Sequence, residues 1–372
     1  MTTRTFVLGT RGSRLALAQS TTVARAIEEA GARLGEDVRV ELEVVRTHGD
    51  VSAAPLAALG GVGVFAAQLR LALLGGECDL AVHSFKDLPT APTPGLRIAA
   101  VPQREDPRDA LCAADGETLS SLPAGALVGT GSPRRAAQVL AARPDLRVCD
   151  LRGNVPTRLS RVRGIDLGAD AGTAPSALGT GERLDAVVLA LAGLRRIGLD
   201  THATDVLDPA IMMPAPSQGA LAIETRDELD PVLRALLGTL HHRPTALAAS
   251  AERAVLSALG AGCAAPVGAF ARVDEASSAL LLDARVMSVD GRERVEASGA
   301  FALTDALGLD EAARLGEDVA ARGGAMPDEV APGEATLGEA ARLGADVARQ
   351  LLARGAAEVT DLGATKAPRQ SS

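Results

Sequence analysis

Two copies of one strand–turn–helix unit constrain the fold of this chain more than any other feature of its sequence. In the first copy, the apolar segment 6–8 runs through a Gly-Thr turn into a helix over about 14–30, which Ser13 is placed to cap. In the second copy, segment 126–128 runs through another Gly-Thr turn into a helix over 133–140, with proline at its first-turn position. The two copies predict two related α/β domains.

Further segments extend this pattern. Segment 38–45 alternates apolar and charged residues, which predicts a second strand. The stretch 76–82 (GECDLAV) is echoed at 181–188 (GERLDAVV), although chance similarity between Ala- and Gly-rich segments is an alternative explanation of this echo. Between the copies of the echo, segment 164–181 has low complexity and is expected to be a surface loop rather than a site.

The pattern of predicted elements changes from about His242 onward, which predicts a third, smaller α+β domain. An amphipathic helix over 245–259 is followed by a strand over 279–287, and helical, Ala-rich sequence is expected from there to the end. A short duplication relates 311–320 (EAARLGEDVA) to 339–348 (EAARLGADVA). The Gly- and Pro-bearing stretch between the two copies is interpreted as an inserted linker.

Composition excludes several classes of function. With five Phe and no Tyr or Trp, the chain lacks the rings on which nucleic-acid bases stack, and a net charge of −9 indicates no polyanionic partner. We find no signal-peptide core, and no apolar run approaches the roughly 20 residues that span a bilayer. The cysteines form no CxxC pair, so neither a disulfide framework nor a zinc site is indicated, and a reducing cytoplasm fits best. They are Cys78, Cys112, Cys149 and Cys263.

Arginine density is the first signal of chemistry. Eight arginines lie between positions 134 and 163, opposed by only two carboxylates. Arg134 and Arg135 fall in the first turn of a predicted helix, where a cation opposes the macrodipole, so an anion at that helix end would explain them. Arg11 precedes the equivalent helix of the first unit. Together with Arg152 and Arg158, these residues suit a ligand with several carboxylates; scattered surface charge is the alternative.

A second signal follows the apolar strand 80–82. The segment 83–89 (HSFKDLP) lies at the carboxyl end of this strand, where open α/β sheets place their ligands. Lys86 is one of only two lysines among 38 basic residues, the other being Lys366. Asp87 could stabilise a cation that forms during a reaction, or accept a proton. An ordinary exposed loop pair, placed by chance, is the alternative.

The third signal is Cys263 in the glycine-rich turn 260–263. Its small neighbours leave the sulfur accessible as a nucleophile or an attachment point. On the residues alone an inert buried cysteine is favoured, since free cysteines are often buried. The adjacent pair His241-His242 has no evident third ligand, so it is interpreted as structural and no metal site is predicted.

Nine segments in a fixed order together resemble the porphobilinogen deaminase (hydroxymethylbilane synthase) family. They are 9–13 (GTRGS), 82–89 (VHSFKDLP), 104–110 (REDPRDA), 128–135 (VGTGSPRR), 151–155 (LRGNV), 192–194 (AGL), 214–220 (PAPSQGA), 251–254 (AERA) and 262–263 (GC). No single segment is decisive, but the ordered set is highly specific and covers about residues 5 to 290.

The resemblance implies a fold of two periplasmic-binding-protein-like (type II) α/β domains and a smaller C-terminal α+β domain. The first domain would be discontinuous, with 1–102 joined by 217–240. The second would span 103–216, and the third, carrying the cofactor cysteine, would span 241–372. The family also suggests a monomer.

The resemblance further implies a transferase of tetrapyrrole (haem) biosynthesis. Cys263 would carry a dipyrromethane cofactor through a thioether, and four porphobilinogens would be added in turn to the free pyrrole end. Each would lose ammonia to give an azafulvene, which the terminal pyrrole carbon attacks. Water would finally release hydroxymethylbilane. No nucleic acid, membrane or metal is expected to take part.

Residue roles are carried over from the family by position. Asp87 would stabilise the developing positive charge, and Lys86, the other catalytic residue, would join the arginines as a charge partner. Cofactor-binding residues would be Cys263, Arg134, Arg135, Ser132, Thr130 and Ser84. Substrate-binding residues would be Arg11, Ser13, Arg152, Arg158, Gln19 and Phe65. The loop 59–65 matches the family's active-site lid, but Ala58 and Val62 replace lysines that are common there.

Two other classes of function are compatible with parts of this pattern. A solute-binding module would have the same two-domain cleft and arginines without any chemistry, but Cys263 and the missing export signal count against it. A catalytically inactive relative would have lost functional residues, whereas Asp87, Cys263 and the arginines are all present.

Overall fold

In a computed structural model of this protein, the described residues form three sheets. The structure describes residues 3–45, 64–168, 183–262, 265–303 and 334–363, without the side chains of 64, 65 and 334–336. Two of the sheets have five strands each and the third has three.

The first sheet is built mainly from the N-terminal part of the chain. Its strands are β1 (Arg4–Thr10), β2 (Val38–Val44), β3 (Leu80–Ser84), β4 (Leu96–Ala100) and β10 (Leu221–Arg226). Their order is β2-β1-β3-β10-β4, with β1 parallel to both of its neighbours and β10 antiparallel to β3 and β4. The helices of this unit are α1 (Arg14–Leu34), α2 (Val64–Leu74) and α6 (Pro231–Leu240).

The start of α1 follows the predicted capping signal. The Ser13 hydroxyl accepts a hydrogen bond from the Ala16 N–H and so satisfies a backbone donor that the first helical turn leaves unpaired. One face of α1 buries Val23, Ile27 and Ala30 against the sheet. The helix is one turn longer than the sequence predicted and ends at Gly35 in the left-handed region, at φ 74°.

The second sheet repeats the arrangement of the first. Its strands are β5 (Asp109–Ala113), β6 (Leu127–Gly129), β7 (Arg147–Cys149), β8 (Ala186–Ala190) and β9 (Asp205–Val206), and its helices are α3 (Pro133–Ala142), α4 (Val155–Leu159) and α5 (Leu191–Arg196). The order β7-β6-β8-β5-β9 has parallel neighbours around β6 and the antiparallel strand β5 beside β8. The predicted relation between the two α/β units is therefore confirmed, with β6 equivalent to β1 and β8 equivalent to β3.

The chain passes between these sheets twice, once from β4 to β5 and once from β9 to β10. Strand β10 therefore completes the first sheet after the second sheet has been built. The proposed domain boundaries after 102 and 216 fall in these two connections and stay a prediction.

A third unit forms the C-terminal part of the structure. It contains the antiparallel strands β11 (Val267–Asp274), β12 (Ala279–Met287) and β13 (Arg294–Ala302) and the helices α7 (Arg243–Ala258), α8 (Glu334–Ala353) and α9 (Ala356–Val359). Helices α7 and α8 share one apolar core with the sheet. The predicted class, two α/β units and a smaller α+β unit, is confirmed.

One prediction for this unit was wrong. The sequence after 287 was expected to be helical, but 294–302 pairs with β12 along its full length, from Met287 opposite Arg294 to Ala279 opposite Ala302. Strand β11 was not predicted as a strand at all. The small residues of β13 explain the error, because alanine favours a helix when no partner is considered. In the structure, Gly299 leaves room for the side chains of Leu343 and Val347 on α8 to pack closely against the sheet. Pairing with a neighbouring strand here outweighs the helical preference of alanine.

Several sequence features lie outside the described residues. The copy 339–348 of the duplication lies within α8, whereas its partner 311–320, most of the segment 164–181 and Lys366 are not described. Within the described ranges, no helix combines the length and the apolar character needed to cross a bilayer.

Candidate functional site

The Lys86–Asp87 pair lies on a 3₁₀ turn, Phe85–Asp87, at the carboxyl end of β3. Phe85 is buried, Lys86 is partly buried and Asp87 is exposed. The Ser84 hydroxyl exchanges hydrogen bonds with the Gln19 amide of α1, with Nε2 to Oγ at 2.9 Å. The turn thus holds its apolar residue in the core and presents the aspartate to solvent.

On the second sheet, Arg134 and Arg135 converge on a buried carboxylate. Both belong to the first turn of α3, and both contact Asp109, which is 0% exposed at the start of β5. The guanidinium of Arg134 lies 2.8 Å from Asp109 Oδ2, and that of Arg135 lies 2.8 Å from Oδ1. Burial favours the neutral carboxyl, but the two arginines outweigh it and lower the pKa of Asp109 to about 2.

Gln218 connects the two halves of this arrangement. Its Nε2 donates to Asp109 Oδ1 at 2.8 Å, and its Oε1 accepts from Lys86 Nζ at 3.3 Å and from Arg135 at 3.4 Å. Gln218 lies on the connection that leads into β10. Lys86 of the first unit and the paired arginines of the second unit are therefore joined through one buried amide.

The turn before α3 forms another side of the site. Ser132 caps α3, accepting from the Arg135 N–H, and its own N–H donates to Thr130 Oγ1 at 3.2 Å. A Cβ placed on Gly131 would lie 2.5 Å from the carbonyl oxygen of Leu151. Glycine is required there because the turn 130–132 and the segment that leads to Arg152 approach each other closely.

Arg152 and Arg158 lie next to this turn. Arg152 is exposed and pairs with Asp150 at 3.0 Å, whereas Arg158 is partly buried and donates to the Gly153 carbonyl at 2.7 Å. Burial lowers the pKa of Arg158 to about 10, with Arg135 and Arg152 adding to the effect and Asp150 and Asp87 opposing it. Arg158 therefore lies in the same local field as Arg135 and Asp87.

The remaining predicted site residues, Arg11, Ser13 and Phe65, lie near the ends of β1, α1 and α2. Arg11 follows β1 and is partly buried, and Ser13 caps α1. The backbone of Phe65 belongs to α2, but its side chain is outside the described residues, as are Ala58, Val62 and Cys263.

His241 and His242 have structural contacts. His241 Nδ1 accepts from the Val101 N–H at 3.3 Å, and His242 caps α7, with Nδ1 2.7 Å from Thr245 Oγ1. In the described parts of the chain, no three His, Cys, Asp or Glu side chains are grouped so that they could hold a metal ion.

Sequence reasoning missed several residues of this network. Asp109 and Gln218 were not singled out, nor was the buried pair of Arg104 and Glu252, whose atoms approach to 2.7 Å. All four lie in segments that carried the family resemblance, which was the available signal. Their residue types alone give no indication of burial, because the partners are 25 or more positions away in the chain.

Lys86 should leave a signature in the pH dependence of stability. Burial lowers its pKa from 10.5 to about 8, with a further lowering by Arg135 and Arg134 that Asp87 and Asp109 oppose. Between pH 8 and pH 10.5 the unfolded state therefore binds more protons at this position than the folded state, so rising pH favours folding. We expect the unfolding free energy of the wild type to rise relative to that of Lys86→Met across this window.

Urea denaturation of both proteins at several pH values checks this. The comparison cancels the titration of other groups, because both proteins contain them. A difference in unfolding free energy that stays flat from pH 8 to pH 10.5 would contradict the lowered pKa.

Comparison with known proteins places the chain in a family. A family model described as the porphobilinogen deaminase, dipyromethane cofactor binding domain matches residues 6–234, and one for the porphobilinogen deaminase C-terminal domain matches 246–322. The chain belongs to the porphobilinogen deaminase family. A porphobilinogen deaminase of Cutibacterium acnes is 52% identical over 330 residues, 84% of this chain and 95% of that protein. One of Thermus thermophilus is 44% identical over 323 residues, 86% of this chain and 97% of that protein.

Family membership confirms the resemblance seen in the sequence. The predicted activity, polymerisation of porphobilinogen in tetrapyrrole biosynthesis, and the predicted dipyrromethane cofactor are those of this family.

Proposed function

We propose that this chain is a hydroxymethylbilane synthase whose Lys86, Asp87 and clustered arginines act on porphobilinogen and on a growing chain of pyrroles. Four porphobilinogens would be joined, with loss of ammonia, onto a covalent dipyrromethane primer, and hydrolysis would release hydroxymethylbilane. The observation that carries the proposal is the meeting of cations from both α/β units at Gln218, whose Oε1 accepts from Lys86 and from Arg135. We call Lys86, Arg134, Arg135, Arg152 and Arg158 the cation cluster.

The cation cluster fits a ligand with several carboxylates. Burial and neighbouring cations lower the pKa values of Lys86, Arg134 and Arg158, so each positive charge there is held at an electrostatic cost. Arg134 Nε is buried and, in the described part of the chain, has no hydrogen-bond partner. Carboxylates of a bound ligand would relieve the repulsion and offer further acceptors. The acetate and propionate groups of dipyrromethane and porphobilinogen are such carboxylates.

We assign the attachment of the cofactor to Cys263, with Arg134, Arg135, Ser132, Thr130 and Ser84 binding its polar groups. Once bound, dipyrromethane supplies the pyrrole carbon to which new units are joined. The described residues 259–262 lead from α7 into the position of Cys263, and the Gly262 N–H donates to the Leu362 carbonyl at 3.1 Å. This contact supports an attachment segment that is held at its N-terminal side.

We assign to Asp87 the stabilisation of the positive charge that develops during the reaction. Loss of ammonia from porphobilinogen develops positive charge on its pyrrole nitrogen, and a nearby carboxylate lowers the energy of that charge. Asp87 is exposed, so its carboxylate is available to a ligand, and its charge acts on both Lys86 and Arg158. At pH values below about 8 Lys86 is charged and offers an ammonium to a substrate carboxylate.

The incoming substrate is assigned to the remaining predicted residues. Arg11, Arg152 and Arg158 would bind its carboxylates, with Ser13, Gln19 and Phe65 around it. Ser13 and Gln19 already contact the backbone of α1 and Ser84, so binding requires them to exchange or share these hydrogen bonds. We further propose a cytoplasmic monomer. Free thiols at the buried Cys78 and Cys112 support the reducing compartment.

The intact mass of the purified protein tests the proposal. We expect incubation of the wild type with porphobilinogen to yield a covalent dipyrromethane, seen as an increase in mass and as colour with Ehrlich's reagent. Cys263→Ala should show neither, because it lacks the sulfur of the thioether. Cys149→Ala is the matched control and should behave as the wild type.

The outcomes separate the alternatives. A solute-binding module would bind porphobilinogen without any change in mass. A chain that never carries dipyrromethane under any preparation would contradict the transferase, and a Cys263→Ala protein that is loaded normally would exclude Cys263 as the attachment point.

A further inference from the structure

Arg253 of α7 holds the segment on both sides of Lys86 and Asp87. Its guanidinium donates to the carbonyl oxygens of Phe85 at 3.1 Å, Leu88 at 2.8 Å and Pro89 at 2.6 Å. It also lies over the ring of Phe85, 4.4 Å from the ring centre. One side chain thus contacts three backbone groups of a five-residue segment whose middle contains the proposed reacting carboxylate.

The planar guanidinium suits this task better than an ammonium would. Five N–H groups in a fixed geometry reach several carbonyls at once, and the flat face stacks on an aromatic ring. Strand β3 ends at Ser84, so the segment beyond it no longer pairs within the sheet. The Phe85 N–H still donates to the Ala220 carbonyl at 3.0 Å. Contacts from α7 therefore supply much of what fixes the turn.

The neighbouring residue on α7 fixes the helix itself. Glu252 is 0% exposed and receives both ends of the Arg104 guanidinium, at 2.7 and 3.0 Å. It also accepts from the Ser217 N–H at 2.5 Å and the Ala271 N–H at 2.7 Å. Arg104 and Ser217 belong to the two connections between the α/β sheets, so Glu252 ties α7 to both connections at the point where Gln218 enters the site.

The other end of α7 leads toward the proposed attachment point. The helix ends at Ala258, five positions before Cys263. A single helix thus braces the Asp87 turn at Arg253 and begins the segment that would carry the growing chain. This arrangement links the position of the carboxylate to that of the proposed attachment point.

We propose that Arg253 is a positioning residue for Asp87: through Phe85, Leu88 and Pro89 it sets the orientation of the Asp87 carboxylate relative to the substrate. The inference rests on the proposed function, because it assumes that Asp87 acts on porphobilinogen. Arg253 acts through the turn and need not touch the substrate.

Kinetics of Arg253→Ala test the inference. We expect kcat to fall about 10- to 100-fold, the order of loss that displacement of a reacting group causes. KM should change much less, because the proposed carboxylate-binding arginines lie on other elements. The covalent primer should still form on prolonged incubation, as measured by intact mass. Arg349→Ala is the control, since Arg349 lies in the same unit, is 70% exposed and pairs with Asp346 on the surface.

Chemical rescue distinguishes positioning from general loss of structure. Added methylguanidinium should restore part of kcat in Arg253→Ala and have no such effect on the wild type, whereas added urea should restore nothing. Arg253→Lys should lie between the alanine variant and the wild type and covers the case in which the alanine variant does not fold.

A double-mutant cycle with Asp87→Glu, which retains a carboxylate, tests whether Arg253 acts through Asp87. We expect Arg253→Ala to lower kcat much less in the Asp87→Glu background than in the wild type, because that carboxylate is already displaced. The inference would be overturned by equal losses in both backgrounds or by a wild-type kcat in Arg253→Ala. It would also be overturned if methylguanidinium failed to rescue the variant and the loss appeared in KM and not in kcat. Failure of the proposed function is distinct, since the wild type itself would then gain no mass from porphobilinogen.

Discussion

Asp87→Ala is expected to reduce kcat by about 10²–10³-fold or more, the loss seen when one preorganised group that stabilises a developing charge is removed. The carboxylate is exposed on its 3₁₀ turn, and Phe85, not Asp87, anchors that turn in the core. Truncation therefore leaves no buried group without a partner, and the urea midpoint should stay near that of the wild type. Steady-state kinetics and urea denaturation measure the two effects.

Asp87→Asn separates charge from shape. The amide retains the size and hydrogen-bonding atoms of the carboxylate but cannot stabilise a cation by its charge, so we expect a loss close to that of alanine. Asp227→Ala, an exposed aspartate in the turn after β10, is the control and should retain wild-type kcat. Substantial residual activity in both Asp87 variants would remove this residue from the central role.

Asp109→Asn is expected to destabilise the fold by about 3–5 kcal/mol, the usual cost of removing one partner from a buried ion pair. Arg134 and Arg135 would remain buried beside a neutral amide, with their mutual repulsion no longer balanced. Because the same arginines are the proposed cofactor ligands, the fraction of the protein that carries dipyrromethane should also fall. Urea denaturation and intact mass measure these two losses.

The matched control is Asp283→Asn. Asp283 pairs with Arg272 at 2.9 Å, but both side chains are more than a third exposed, and such surface pairs contribute about 0–1 kcal/mol. Equal destabilisation by Asp109→Asn and Asp283→Asn would show that the buried arginines tolerate a neutral partner.

The lowered pKa of Asp109 adds a pH dependence of known sign. With a folded pKa of about 2 against a usual value of 3.8, the folded state binds fewer protons than the unfolded state in that window. The stabilisation is fully present above pH 3.8 and is lost as the pH falls toward 2. The difference in unfolding free energy between the wild type and Asp109→Asn should therefore shrink across this window.

Local signals explain why the two α/β units were predicted correctly from the sequence. Ser13 and Ser132 each precede a helix and cap it, and short apolar runs before them become β1 and β6. These signals act over a few neighbouring positions, so they can be read without knowledge of the rest of the fold. Strand β13 lacks such a signal, because its alanines and glycine suit a helix until β12 and α8 are present to pair and pack with it.

The functional site likewise has one part that local sequence signals predict and another part that they do not. The positions of Lys86 and Asp87 after β3, and of Arg134 and Arg135 in the first turn of α3, follow from strand ends and helix starts and were predicted. The family resemblance supplied their assigned roles. The anion that the structure places against the two arginines is Asp109, a residue that no strand-end or helix-start signal marks.

The amino-acid sequence therefore established the repeated α/β architecture, the family and the residues most suited to chemistry, since these depend on local order and on motifs. Folding in three dimensions added the contacts that join them: Gln218 between Lys86 and Asp109, and Glu252 and Arg253 bracing the connections and the Asp87 turn. Such contacts depend on which distant segments are buried together. Burial sets both the cost of an unpaired charge and the partner that offsets it, so these roles emerge only when the sheets and α7 are assembled.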